Sequence, residues 1–502
     1  MEPDRWRGVL LSVSPCLRPP MRSPGRLNPM RFGSSDLHYS FSFIPAVACA
    51  HCVRVHCARR CQKSPSSKLS GLQRWLEGVG AQGLDGVRVG PSVEAEGLAV
   101  FAERDFAPGE VICFVPEQGL LTKNEEESFG PTKEAALARK LLCEKQLAAR
   151  SSFAPYIESL PVTQELPKLH PMFWPPDVDV EELLRGSVHG QKVAKDIVEE
   201  GLQNVTALVE DGFSEEEARW ALAIVDSRAF TFQPDTPEEQ LVLVPLIDLL
   251  NTTTLFEDGV QLWQCSFEPH GSVQEGALLL AEGPVKAGEE LLHLYGPNSS
   301  AMLWMVYGFM EEGPVGGREN LFEMCGIKVE AASAISTNSP SLRDVKLAAL
   351  AAADLTDTLV FELPNDAQLG GKMMPVARLL SCQTEDEARH FAESLSLTVP
   401  DLQVDLQREL SARQLVVQWL QQALRDSRAS AAVPASGPPE TLSLRTAAKK
   451  LLENERPVLE LELEMSERFC LHAEAALDAG GAALDAFVKE NWDEETGWLG
   501  AG

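Results

Sequence analysis

The chain has 502 residues, of which 44% are hydrophobic and 24% charged, and its net charge is −30. This length exceeds one ordinary core and predicts two or more domains, and the sequence has no uninterrupted apolar run long enough for a transmembrane helix. Residues 1–68 carry 11 basic and 3 acidic side chains, whereas the remainder carries 33 and 71. Because an acidic body repels phosphate backbones, we expect no nucleic-acid partner. A basic protein substrate is compatible with this charge, which also serves solubility.

The N-terminal segment, residues 1–68, differs from the rest of the chain. It is rich in Arg, Ser and Pro and has no periodic pattern, as in a cleavable organelle transit segment. Such a segment predicts a plastid protein, whereas a disordered tail, or a start at Met21 or Met30, leaves the cytoplasm or nucleus. The cysteines between Cys49 and Cys61 contain half a zinc signature, but the pairs lie too close together and no metal is expected.

A glycine motif follows the first predicted helix. Residues 69–80 have helical apolar spacing and end in glycine. The overlapping GVGAQG matches the G-x-G-x-x-G dinucleotide fingerprint, which requires a strand before it and a helix after it. Here a helix precedes and an extended segment follows. Gly78, Gly80 and Gly83 are therefore predicted to end a helix and form a turn.

A strand-rich stretch and a helical stretch come next. Residues 97–116 read as two short strands joined by a Pro-Gly turn. Residues 131–227 have helical periodicity, and Ser214 and Glu217 form a capping box at the start of one helix. The pattern predicts a helical segment inserted into a strand-rich domain.

Strands return before the chain becomes helical again. Residues 241–251 (LVLVPLIDLLN) read as a buried strand that ends at Asn251, and residues 277–295 read as a second hairpin. After about residue 318, helical periodicity dominates up to the C-terminus. The second half therefore predicts a change from a strand-rich domain to an all-helical one.

Several of these stretches, in this order, resemble one family. They are GLAVFAERDFAPGEVICFVP, FAPYIESLP, RWALAIVDSRAF, LVPLIDLLN and GEELLHLYGPNSSAMLWMVYGF. The chain resembles SET-domain methyltransferases of the subgroup that includes the plant Rubisco large-subunit lysine methyltransferase. The resemblance implies an α+β fold, with a knot-like SET domain (β-clip) that contains a helical insert, followed by an all-α substrate-binding domain. The implied boundaries are a presequence or tail at 1–68, a SET domain at 69–315 with its insert at about 120–225, and a helical domain at 316–502.

The resemblance also implies an activity. Family members transfer a methyl group from S-adenosylmethionine to a lysine nitrogen of a protein, or in one branch to a histidine nitrogen. For this chain it implies a non-histone protein substrate bound through the C-terminal helical domain, a monomer, and no membrane or nucleic-acid partner. The chemistry needs a neutral amine, although a free lysine has a pKa near 10.4. Desolvation and a nearby cation both lower that pKa, and alignment supplies much of the rate.

The residues that match the family's motifs define a candidate site. Tyr295 matches the tyrosine at the methyl-transfer centre, where its hydroxyl would orient the amine. Phe230 is expected to form an aromatic wall around the lysine stem, and a plain core position is its alternative. The implied cofactor-binding residues are Glu96, Gly97, Leu98, Arg228, Asp248, Asn251, Thr252 and Tyr307.

The chain departs from the family pattern at three positions of this site. Thr252 stands where the family usually has histidine, Ala99 replaces a second glycine, and Ser300 replaces an asparagine. These departures leave a second hypothesis open: a catalytically weakened SET-fold module that binds a protein partner.

Overall fold

The computed structural model describes part of the chain: residues 65–92, 97–123, 129–232, 239–257, 259–269, 273–311, 318–355, 358–365, 372–396, 406–433, 435, 439–493 and 498–499. The cysteine cluster between Cys49 and Cys61, and also Met21, Met30 and Glu96, lie outside these ranges, so what was predicted for them stays a prediction. No helix within the ranges combines the length and apolar character that a membrane span requires. Among the same residues, no group of three or more His, Cys, Asp or Glu side chains could hold a metal ion.

Helices make up the larger part of the described structure. In the first half they are α1 (Pro65–Val79), α2 (Lys133–Leu147), α3 (Ala154–Ser159), α4 (Val180–Leu183), α5 (Val188–Glu210), α6 (Glu215–Arg228) and α7 (Ser300–Met302). In the second half they are α8 (Ala331–Ala334), α9 (Pro340–Ala352), α10 (Met373–Ser381), α11 (Glu385–Ser396), α12 (Leu406–Ala432), α13 (Pro439–Ala479) and α14 (Gly481–Asn491). Helices α2 to α6 lie between strands at Leu121–Thr122 and Ala229–Phe232, in the range where a helical insert was predicted.

The strands are short and form small antiparallel sheets. They are β1 (Val87–Pro91), β2 (Leu98–Ala102), β3 (Val111–Val115), β4 (Leu121–Thr122), β5 (Ala229–Phe232), β6 (Gln240–Leu243), β7 (Leu255–Glu257), β8 (Val260–Gln261), β9 (Cys265–Pro269), β10 (Ala277–Ala281), β11 (Arg318–Asn320), β12 (Met324–Glu330), β13 (Thr358–Pro364), β14 (Trp492–Asp493) and β15 (Trp498–Leu499). Their order is β1-β2, β3-β10-β9, β4-β6-β5, β11-β7-β8, β12-β13 and β14-β15. The mixture of helices and strands confirms the predicted α+β class.

The predicted turn after the first helix is confirmed. The backbone N–H groups of Gly80 and Ala81 donate to the carbonyls of Glu77 and Leu76, at 3.1 and 3.0 Å, which is the Schellman pattern at a helix end. Gly80 has φ of +94°, a conformation that glycine adopts without a Cβ penalty. The GVGAQG stretch is therefore a helix stop.

Two predicted strand arrangements are wrong. Strand β2 pairs with β1 and strand β3 with β10, so the two predicted strands of 97–116 exist but do not pair with each other. Strand β10 pairs with β3 and β9, and the predicted hairpin over 277–295 does not form. The second half of that stretch instead makes isolated bridges, including Phe101 with Glu290. Strands β3 and β10 thus pair with each other, although they are distant in sequence.

The strand predicted to end at Asn251 stops earlier. Strand β6 ends at Leu243, and Ile247–Leu249 forms a 3₁₀ turn. Pro245 lacks the N–H that a continuing ladder would need. The buried Leu246 then takes φ of +77°, a strained conformation that costs on the order of 1–3 kcal/mol and tends to occur at functional sites.

The two halves meet along α13. The apolar side chains at this junction surround Trp304, which is fully buried, and include Trp174 and Leu451. Beside them the His189 ring bridges Ser299 Oγ and Glu362 Oε1, each at 2.9 Å. The C-terminal half is mainly helical, but the prediction that it is all-helical is wrong, because it also contains the β12–β13 hairpin.

Candidate active site

The candidate site lies where two segments, residues 248–252 and 291–295, run side by side. Asn251 forms a parallel bridge with Leu292, and the His293 N–H donates to the Asn251 carbonyl at 3.1 Å. The backbone N–H of Tyr295 donates to Thr252 Oγ1 at 3.1 Å. The two segments are more than 40 positions apart in sequence, and their close approach is the feature of the knot-like fold that was predicted. We call the place where they meet the crossing.

The Tyr295 hydroxyl is held at the end of this crossing. It donates a hydrogen bond of 2.6 Å to the Leu250 carbonyl, and the side chain is partly exposed. Burial of the phenol disfavours its anion and raises the pKa of Tyr295 to about 12. The hydroxyl therefore stays protonated at neutral pH. Because its proton points to Leu250, its lone pairs are directed elsewhere and can accept a hydrogen bond.

The second tyrosine of the same stretch supports the first. Helix α7 continues into a π-helical turn, Leu303–Tyr307, which ends at Gly308 with φ of +78°. The Tyr307 hydroxyl donates to the Tyr295 carbonyl at 3.3 Å, and the two ring centroids are 4.8 Å apart. Tyr307 therefore fixes the strand end that carries Tyr295, and burial raises its pKa above the ordinary range.

A row of aromatic rings extends from Tyr295 to the neighbouring sheets. The His293 ring lies 4.8 Å from the Tyr295 ring and stacks on Phe230 at 5.5 Å. Phe230 in turn lies 4.3 Å from Phe267 on β9. Burial lowers the pKa of His293 to about 4, so this imidazole is neutral at pH 7. The rings offer an uncharged wall on one side of Tyr295.

A charged pair lies beside residues 248–252. Arg228, at the end of α6, donates from Nη1 to the Asp248 carbonyl at 2.7 Å, and the same nitrogen lies 3.9 Å from Asp248 Oδ2. The Tyr156 hydroxyl donates to Oδ2 at 2.7 Å. Burial raises the pKa of Asp248 to about 6, while Arg228 and Tyr156 oppose the rise. Backbone N–H groups of Leu246 and Asp248 also favour the charged carboxylate.

Asn251 joins the crossing to the start of β2. Its Nδ2 donates to the Leu98 carbonyl at 3.3 Å and to Glu290 Oε1 at 2.8 Å. Gly97, just before β2, has φ of +113° and is exposed. This conformation favours glycine, and it brings a bare backbone to the edge of the site.

The described residues of the predicted site therefore come together. They lie in the two segments of the crossing or beside them, and they are Tyr295, Tyr307, Arg228, Asp248, Asn251, Thr252, Gly97, Leu98 and Phe230. All of them except Asp248 are partly or fully exposed. The site thus combines partly exposed polar groups with an aromatic wall. Glu96 lies outside the described residues.

The three departures from the family pattern are accommodated. Ala99 is fully buried in β2, where it pairs with Gly90. Thr252 accepts the Tyr295 N–H, and so its hydroxyl helps to fix the candidate catalytic residue. Ser300 lies away from the crossing, where its hydroxyl donates to Glu323 and accepts from Asn454 Nδ2 at 2.8 Å. None of the three removes a contact that the site makes.

The sequence reading missed four contributors to the site. They are Tyr156, Glu290, His293 and Phe267. A signal was present for three of them. Tyr156 stands in the FAPYIESLP stretch, and Glu290 and His293 stand in the GEELLHLY stretch. Phe267, on β9, lies outside the quoted stretches and joins the site through strand pairing between distant segments.

The chain is similar to known lysine methyltransferases. It is 28% identical to the N-lysine methyltransferase SETD6 of Rattus norvegicus over 279 residues, which are 50% of this chain and 55% of that protein. It is 27% identical to the chloroplastic [fructose-bisphosphate aldolase]-lysine N-methyltransferase of Arabidopsis thaliana over 261 residues, 48% of this chain and 52% of that protein. The chain thus matches about half the length of these curated relatives. No family model matches the sequence.

Solved structures share the fold. The SET domain of LSMT bound to lysine and AdoHcy matches with a TM-score of 0.55 and 21% identity, covering 82% of this chain and 94% of that one. Rubisco LSMT bound to AdoMet matches with a TM-score of 0.53 and 20% identity, covering 84% and 99%. These likenesses confirm the predicted resemblance and the α+β SET fold.

Proposed function

We propose that this chain is an S-adenosylmethionine-dependent protein-lysine N-methyltransferase with Tyr295 as its catalytic residue. The observation that carries the proposal is the position of Tyr295, a partly exposed residue at the end of the crossing whose hydroxyl is anchored on the Leu250 carbonyl at 2.6 Å. An aromatic wall of His293, Phe230 and Phe267 lies beside Tyr295. The polar groups near it are called the polar rim, and they are Arg228, Asp248, Asn251 and the backbone of Gly97 and Leu98. Similarity to enzymes named as lysine methyltransferases supports the same assignment.

The polar rim has donors and acceptors that fit the methyl donor. S-adenosylmethionine, when bound, supplies a methyl group on a sulfonium. Arg228 offers a guanidinium suited to a carboxylate, and the backbone at Gly97 and Leu98 offers carbonyl oxygens suited to an ammonium group. The residues proposed to hold it are Glu96, Gly97, Leu98, Arg228, Asp248, Asn251, Thr252 and Tyr307.

The chain's residues prepare the lysine amine for attack. An aromatic wall that includes Phe230 and His293 packs the apolar stem of a lysine and excludes water from its end. Desolvation lowers the pKa of the amine and so favours the neutral form. A lone pair of Tyr295 Oη then accepts a hydrogen bond from that amine. This hydrogen bond orients the lone pair of the amine nitrogen for attack on the methyl group. No charged base among the described side chains is required for this step.

The C-terminal half is proposed to bind the protein substrate. Its junction with the first half is well connected, because Ser187 Oγ donates to the buried Glu455 at 2.7 Å and Asn454 bonds Ser300. A domain held in this way can present a substrate at a fixed distance from Tyr295. We further propose a non-histone protein substrate, a monomeric enzyme, and domain boundaries near residues 68 and 315.

A labelling experiment tests the function. The purified chain is incubated with methyl-labelled S-adenosylmethionine and a protein extract, and the labelled proteins are hydrolysed to amino acids. We expect label in methyl-lysine, with little label when Tyr295→Phe replaces the wild type. Label in methyl-histidine alone would overturn the lysine assignment. No label above a boiled-enzyme control, in extracts from several sources, would overturn the enzymatic proposal.

A further inference from the structure

Tyr156 is a buried tyrosine whose hydroxyl reaches the candidate site from the helical insert. It lies in α3, its side chain is only 1% exposed, and its Oη donates to Asp248 Oδ2 at 2.7 Å. A tyrosine buried this completely needs a partner for its hydroxyl. Here that partner is a carboxylate within the polar rim, 92 positions away in sequence.

The surroundings of Asp248 determine what this hydrogen bond does. From α6, Arg228 Nη1 lies 2.7 Å from the Asp248 carbonyl and 3.9 Å from Oδ2. From α3, Tyr156 donates to Oδ2. From the strand end, the phenol of Tyr295 lies within the electrostatic influence of the carboxylate. These are the titratable and charged groups of the described structure that act on Asp248, and Arg228 is the cation among them.

We propose that Tyr156 is a positioning residue for binding of the methyl donor: its hydrogen bond keeps Asp248 ionised and in place, and the carboxylate in turn balances and orients Arg228. The inference rests on the proposed function, because it concerns binding of S-adenosylmethionine at the same rim. Tyr156 itself does not reach the reacting atoms, and it acts through Asp248.

The electrostatic consequence has a definite sign. Asp248 has a pKa of about 6, raised by burial and held down in part by Tyr156. S-adenosylmethionine carries a net positive charge at neutral pH, because it has a sulfonium and an ammonium against one carboxylate. When Asp248 becomes protonated, the site loses the negative charge that balances Arg228, and its attraction for a ligand of net positive charge falls. Donor binding should therefore weaken as the pH falls through about 6.

Removal of the Tyr156 hydroxyl should move this weakening to higher pH. A hydrogen bond to a carboxylate favours its charged form, and loss of one shifts the midpoint upward by about one pH unit. At pH 6 about half of the wild-type carboxyls but only about one in eleven of the variant's would then be ionised. At pH 8 nearly all are ionised in both proteins.

Calorimetric titration with S-adenosylmethionine at pH 6 and pH 8 tests the inference. We expect Tyr156→Phe to bind about fivefold more weakly than the wild type at pH 6 and within about 1.5-fold at pH 8. Comparison at each pH cancels the ligand's own titration. In the Asp248→Asn background, Tyr156→Phe should have the same effect at both pH values. With Asp248 intact, the inference would be overturned if Tyr156→Phe loses the same affinity for S-adenosylmethionine at both pH values. It would also be overturned if the variant loses no affinity at either pH.

An unfolding series reads the same coupling without a ligand. Because the folded-state pKa of Asp248 lies above its unfolded value, ionisation destabilises the folded protein as pH rises, and more so in the variant. We expect the ratio of the unfolding constants, Tyr156→Phe over wild type, to grow about eightfold from pH 5 to pH 8. If the ratio of unfolding constants does not change with pH while the wild type binds S-adenosylmethionine, the inference about Tyr156 is overturned but the proposed function is not. If the ratio rises with pH but the wild type does not bind S-adenosylmethionine, the proposed function is overturned. The coupling between Tyr156 and Asp248 would still stand.

Discussion

Replacement of Tyr295 by phenylalanine removes one oxygen from the proposed methyl-transfer centre. The ring keeps its neighbours, since His293 and Tyr307 each lie 4.8 Å from it by ring centroid, and the Leu250 carbonyl loses a donor at 2.6 Å. Loss of one preorganised polar group at a reacting centre lowers kcat about 10²- to 10³-fold, or about 3–4 kcal/mol of barrier. Loss of one neutral hydrogen bond lowers the free energy of unfolding by only about 1 kcal/mol.

The assay is initial-rate transfer of labelled methyl groups to the extract protein most strongly labelled by the wild type, with donor affinity measured in parallel. The KM for S-adenosylmethionine should stay within about threefold, because the rim is unchanged. Tyr307→Phe is the matched control, and its longer hydroxyl contact of 3.3 Å predicts a loss in kcat of less than about tenfold. Equal turnover of the two variants, or a loss of activity that follows loss of folded protein, would refute the role of Tyr295.

Three other perturbations test the surroundings of the site. Burial lowers the pKa of His293 to about 4. The stability that the neutral ring contributes is therefore complete above pH 6.5, and about 1–3 kcal/mol of it is lost as the pH falls towards 4. In urea unfolding, the stability of His293→Phe should fall less steeply with decreasing pH than that of the wild type, and an equal fall would contradict this. Gly97→Ala should weaken donor binding and lower the free energy of unfolding by about 1–2 kcal/mol, because Gly97 has φ of +113°. The control is Gly283→Ala, whose added Cβ meets no atom within 4 Å and which should be neutral. Asn454→Ala removes the 2.8 Å hydrogen bond to Ser300 at the junction and should cost about 1–3 kcal/mol in thermal unfolding; an unaltered Tm would count against a firm junction.

The helices of the chain could be predicted because their determinants are local. The capping box of Ser214 and Glu217 is present as expected, and the Gly80 stop follows from a single positive φ. Strand pairing could not be predicted in the same way, since β10 takes its partners from β3 and β9 rather than from the segment that follows it. Periodicity identifies a strand, but it does not reveal which distant edge the strand will join.

The site was predictable only where motifs carried it. Tyr295, Arg228 and Asn251 stand in stretches that resemble a known family, and the structure brings them to one crossing. Tyr156 and His293 stand in such stretches too, but their roles depend on contacts between distant segments. Tyr156 bonds a carboxylate 92 positions away, and the His293 ring stacks on Phe230. Such contacts depend on packing between the insert and the strand-rich core.

A crystal structure of the chain with S-adenosylhomocysteine and free lysine tests the central claim most directly. The account predicts that the adenosyl ligand contacts the backbone at Leu98 and the side chains of Arg228 and Asn251. Its sulfur should face the lysine amine, and that amine should lie within hydrogen-bond distance of Tyr295 Oη. A ligand bound elsewhere on the chain, or a lysine that does not approach Tyr295, would contradict it.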